Sequence, residues 1–173
     1  NSAFGVGALA SNTTASNNNA LGYMALYNNT TGVGNTAVGH QALLSNTTAD
    51  TNTAIGYRAM YNSAAGSNNV AVGTQSLWNA GSGATNNVAV GVNSAYSTTG
   101  GYNNVAVGNA TLFAITSGNS NVAIGQSALT NISTSSENTA VGTAAGYYTS
   151  SATSSVFFGF RAGYNVTTEI GRA

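Results

Sequence analysis

The chain repeats itself about every 17 residues along almost its whole length, and so short a period suits few folds. The motif reads Asn-x-Ala-(Val/Ile)-Gly-x-x-(Ala/Ser)-Leu, often with an aromatic residue next, as in Asn69-Val70-Ala71-Val72-Gly73. Its glycines are Gly5, Gly22, Gly39, Gly56, Gly73, Gly91, Gly108, Gly125, Gly142 and Gly159. Eight of the nine spacings are 17 residues and one is 18, with the extra residue assigned to the loop Asn79-Ala80-Gly81-Ser82-Gly83. An eleventh start at Glu169-Ile170-Gly171 comes only 12 residues after Gly159. Helix-pair and propeller repeats need roughly 33 to 45 residues. Two short strands and two turns use 17. The period therefore predicts an all-β fold, a parallel β-solenoid or β-roll of about ten coils. Residues 1–173 would form a single repeat domain. At about 4.8 Å per coil the rod would be roughly 48 Å long.

Alternation within the motif assigns faces. Val70 and Val72 point one way and Asn69, Ala71 and Gly73 the other. Hydrophobicity puts the Val side in the core, facing a second strand that carries Leu9, Leu26, Leu43, Met60 and Leu77. Alanine is a poor strand residue. The column Ala37, Ala54, Ala71, Ala89, Ala106 and Ala123 therefore implies close packing, against another chain or within a thin coil. These alanines are the inter-chain packing candidates. Asn35, Asn52, Asn69, Asn87, Asn104 and Asn121 suit turn capping and a stacked amide ladder. Gly39, Gly56, Gly73, Gly91, Gly108 and Gly125 mark a tight bend or close backbone approach.

Charge narrows function. Only Arg58, Arg161, Arg172, Asp50, Glu137 and Glu169 are charged, and Lys, Cys and Pro are absent. Phosphate contacts need Lys or Arg, so nucleic acid is not a partner. Disulfides and cysteine metal sites are ruled out. No apolar run approaches the ~18 residues of a membrane span, so this segment does not insert. Disorder pairs low hydrophobicity with high net charge. This chain is 42% hydrophobic with zero net charge.

Little chemistry is on offer. The single histidine, His40, shares a coil with Asp50, and abundant serine permits a Ser-His-Asp arrangement on paper. His40 also belongs to a variable outward column, Tyr23, His40, Tyr57, Thr74 and Val92, and that plain reading is preferred. One aspartate cannot furnish a calcium roll. No cofactor, metal or catalytic residue is expected. Threonines sit in loops, not in the flat array of an ice-binding solenoid. Asn-x-Ser/Thr sequons at Asn12, Asn28, Asn29, Asn46, Asn109, Asn131 and Asn165 follow largely from composition. The aromatic column Tyr27, Tyr61, Trp78, Tyr96, Phe113 and Tyr147 is the recognition candidate, as a ligand platform or a self-stacking ladder.

The motif resembles the YadA-like head repeat of trimeric autotransporter adhesins, whose signature is Asn-Ser-Val-Ala-Ile-Gly-x-x-Ser. Asn121-Val122-Ala123-Ile124-Gly125-Gln126-Ser127 carries the likeness, and similar runs occur in bacteriophage tail fibres. It extends over residues 1 to 167, though the usual head repeat is shorter than 17 residues. The resemblance implies a left-handed parallel β-roll with three chains side by side, in an extracellular fibre of a cell surface or virion. It implies a non-enzymatic partner for a host-surface glycan or protein. Anchor, stalk and neck are missing from this stretch, so a segment of a longer fibre is expected. The alternative is a filament subunit joined end to end through open coils.

Overall fold

A computed structural model describes residues 1–64 and 66–166. The eleventh start, Glu169-Ile170-Gly171, and Arg172 lie outside the described residues. Among the described residues ten three-residue strands make one parallel sheet in chain order, from β1 (Ser2–Phe4) through β5 (Val70–Val72) and β6 (Val88–Val90) to β10 (Val156–Phe158). Equivalent residues pair, as in Ala37↔Ala54 and Ala54↔Ala71. The chain is thus a β-solenoid. It rises about 43 Å from the first strand to the last, at about 4.8 Å per coil. Ala71 still pairs with Ala89, so the 18-residue coil takes up its extra residue outside the strand.

The expected second strand is absent among the described residues. After each glycine the chain makes successive tight turns instead. Ala42 N–H donates to Gly39 O at 3.4 Å, and Asn46 N–H to Leu43 O at 3.2 Å. Gln41 and Leu43 have φ of 58° and 51°, and nearly every other coil repeats this pair of left-handed residues. Such a backbone is costly for non-glycine residues unless the surroundings fix it. Neighbouring coils do so here. Gln41 N–H donates to Tyr23 O of the coil before at 2.8 Å, and Leu43 N–H to Ala59 O of the coil after at 3.0 Å.

The core lies on the side opposite to the one hydrophobicity selects. Ala37, Ala54, Ala71, Ala89, Ala106 and Ala123 are all fully buried within one chain. They cannot be the inter-chain surface. Their close packing is satisfied inside a thin coil, together with the Leu column. The valines point outward, with Val70 at 37% and Val90 at 36% exposure. Space decides this inversion. The interior already holds a leucine and an asparagine from each typical coil, and only a methyl group fits in what is left.

The asparagines form the expected ladder. Asn35, Asn52, Asn69, Asn87, Asn104 and Asn121 are all buried. The Oδ1 of each accepts the main-chain N–H of the next, for example Asn104 to Asn87 at 3.0 Å and Asn121 to Asn104 at 3.0 Å. The Nδ2 of each braces its own coil. Asn35 donates to Ala49 O at 2.8 Å and Asn104 to Gly118 O at 2.8 Å. The accepting positions, Ala49, Gly66, Ala84, Gly101, Gly118 and Ser135, are a buried small-residue column that sequence reading missed. Its signal was the spacing from each asparagine, 14 residues in five cases and 15 in the 18-residue coil.

A second, shorter ladder runs Asn12, Asn29, Asn46. Asn46 Nδ2 donates to Asn29 Oδ1 at 2.7 Å and to Ala49 O at 3.1 Å. Asn29 and Asn46 are fully buried, so neither can accept a glycan in the folded chain. The ladder stops at Ser63, where Asn46 Oδ1 and Ser63 Oγ are both buried without a partner. Ser63→Asn should carry it one coil further, bonding Asn46 Oδ1 and Gly66 O and leaving one orphaned atom where there are two. A stabilisation of about 1 kcal/mol is expected in urea unfolding. An unchanged or lower midpoint would show that the site is too tight for an amide.

Candidate functional site

Chemistry on the surface collects beside the two turns that follow each glycine. The residue after the glycine and the residue after the Leu position both point outward. They build two columns along the rod, with the left-handed residue that follows the first column between them. In coils two to four the first column is Tyr23, His40 and Tyr57, stacked at centroid distances of 5.0 and 5.3 Å. His40 is exposed and held between two phenol rings. Asp50 Oδ1 instead accepts the Val33 N–H at 2.7 Å, so the two share no hydrogen bond and the paper triad is not assembled.

The second column is the aromatic candidate. Tyr61, Trp78, Tyr96 and Phe113 form one continuous stack, with centroids 4.6, 5.8 and 5.1 Å apart and planes within 14°. Tyr147 stacks on Tyr164 at 5.3 Å. Tyr27 joins no stack among the described residues, because Leu44 follows it in register. The rings are half-buried, and each inner ring has both faces against its neighbours. A sugar stacks on an open aromatic face. The ladder therefore offers ring edges, and its self-stacking reading describes the geometry better than a flat platform does.

Arg58 joins the columns. Its guanidinium carbon lies 5.1 Å from the Tyr57 ring centroid, 5.2 Å from Tyr61 and 5.8 Å from Trp78. Its Nε donates to Gln41 Oε1, one coil earlier, at 2.8 Å. Arg161 repeats the arrangement over Phe160 and Tyr164, at 5.4 and 4.9 Å. The sequence placed both arginines at equivalent positions but gave no sign of the rings around them, because the turn that brings them together was read as a strand.

The other notable surface is the outer face of the ten-stranded sheet. Phe4, Leu21, Ile55, Val90, Ile124 and Phe158 are 76, 48, 40, 36, 41 and 80% exposed. No charged residue falls in either outward column of its strands. Among the described residues no three His, Cys, Asp or Glu side chains gather where a metal could bind, and no helix is long and apolar enough to cross a membrane. No family model, curated protein or solved structure matches the chain.

Proposed function

We propose that this chain is a non-enzymatic segment of an extracellular fibre, of the adhesin-head or tail-fibre-shaft kind, and that copies of it pack side by side as a homotrimer. One observation carries the reading. The exposed sheet face is uncharged, and the column that ends its strands, from Phe4 to Phe158, is apolar in all ten, beside a mixed column that includes Ser2, Asn19, Thr36, Thr53 and Thr139. Soluble monomers rarely leave such a continuous apolar surface in water. A second copy has the same coil spacing, so contacts made at one coil recur at the next. The repeat resemblance points the same way, and so does the lack of charge that would keep copies apart. Attachment to a host surface is the role that suits such a fibre.

Sedimentation of the native particle tests this. The expected mass is three times the 17.1 kDa chain. A Val90→Lys/Ile124→Lys variant puts two charges on the face without touching the core. It should sediment as a single chain while keeping the wild-type circular dichroism spectrum. A wild-type monomer overturns the proposal. An open-ended mass distribution that survives the double substitution favours joining through the coil ends instead.

A further inference from the structure

We infer that the lane around Arg58 is a binding site for a carboxylate-bearing sugar. This deepens the attachment role proposed above but does not depend on the apolar sheet face. The walls are the outward columns, Tyr57 on one side and Tyr61 with Trp78 on the other, and the floor is Gln41 and Arg58.

A guanidinium has five N–H donors. Gln41 occupies Nε, and the Nη groups have no partner among the described residues. The two acidic residues among those described are engaged elsewhere, Asp50 with the Val33 N–H and Glu137 with the Ser154 hydroxyl. Among the described residues Arg58 is therefore an uncompensated cation, half-buried and held in place by three rings and an amide. Guanidinium geometry matches a carboxylate through two parallel N–H donors. The phenol hydroxyls of Tyr57 and Tyr61 make no hydrogen bond within the described residues, and their rings flank the Arg58 guanidinium. They suit the hydroxyls of a sugar ring. Because the stacked rings show edges, a neutral sugar finds no aromatic face, and the charged contact has to supply the selectivity. An acidic peptide would want several cations together. Here Arg58 and Arg161 stand six coils apart, roughly 29 Å at about 4.8 Å per coil.

Trp78 is the only tryptophan, so its fluorescence reports on this site alone. Emission would be followed during titration with trigalacturonate, maltotriose, sulfated maltotriose and triglutamate. Saturable change is expected with trigalacturonate only. Arg58→Gln should weaken that binding at least tenfold, and Arg58→Lys should fall between. The glutamine variant should fold normally, because Gln41 and Gln75 occupy the same column position at φ of 58° and 55°. Its circular dichroism checks this. No saturation with trigalacturonate overturns the inference. So does equal binding of the sulfated sugar or the peptide, or an Arg58→Gln variant that binds like wild type. Sedimentation of the same samples separates such a failure from failure of the trimer, since the glutamine variant should keep the wild-type mass.

Discussion

Gly73→Ala should lower the unfolding free energy by about 4 kcal/mol, and Gly159→Ala by only about half as much. Both glycines end a strand in left-handed backbone, with φ of 132° and 119°. Each alanine therefore carries a conformational cost of about 1–3 kcal/mol. They differ in what a methyl group would meet. At Gly73 it would sit 2.6 Å from the carbonyl oxygen and 2.7 Å from the carbonyl carbon of Gly91, both main-chain atoms of the next coil. At Gly159 no described residue lies within 4 Å. The collision adds about 1–3 kcal/mol, as overpacking does, and the strand that must yield is pinned by its own ladder. Urea unfolding of the two variants reads the difference directly. Equal losses would mean that backbone conformation alone, and not inter-coil contact, demands glycine in this column.

The second large effect concerns Phe157. It occupies the alanine position of the tenth coil and is 2% exposed. The Leu position of coils nine and ten is Gly146 and Gly163. A Cβ on Gly146 would lie 2.7 Å from Leu129 Cδ2 and 3.0 Å from the Phe157 ring, and one on Gly163 would overlap that ring. One ring thus fills space that leucines fill elsewhere. Phe157→Ala should cost about 3–5 kcal/mol through the cavity it leaves. Gly146→Leu alone should also destabilise, by about 1–3 kcal/mol of overpacking. Combined, they restore the pattern of the earlier coils, and the double variant should recover about 2 kcal/mol relative to the sum of the singles. The left-handed φ of 62° at Gly146 is no obstacle, since Leu129 adopts 49° one coil away. A strictly additive cycle would show that the ring and the leucines do not compete for one space.

The solenoid itself was legible because a fixed period survives any error about local conformation. Inside the coil two readings failed, for related reasons. Leu43 points in and Leu44 out, so their alternation imitates a strand. Left-handed residues at alternate positions give the same in–out rhythm through turns, and nothing in Gln41 or Leu43 announces a positive φ. Valine and alanine were then assigned to the wrong sides, because hydrophobicity ranks Val above Ala while the thin interior selects by volume. The asparagine column read correctly, since amide ladders follow from stacking alone. Arg58 could not be placed among its rings until the turn was known. Its neighbours Tyr57 and Tyr61 are one and three residues away in sequence, a spacing at which a strand would put the arginine and Tyr61 on opposite faces.

The unbroken pairing of β5 with β6 across an 18-residue coil has a consequence for how such a rod can change through evolution. Register is set by the asparagine, alanine and glycine columns, and the rest of the coil tolerates an added residue. Copying one coil's worth of coding sequence inserts a unit whose upper and lower surfaces already match its new neighbours. Each such event lengthens the rod by about 4.8 Å. Reach is then inherited as a count of repeats, adjustable in single steps by gain or loss of one coil's coding sequence, with no new interface to invent.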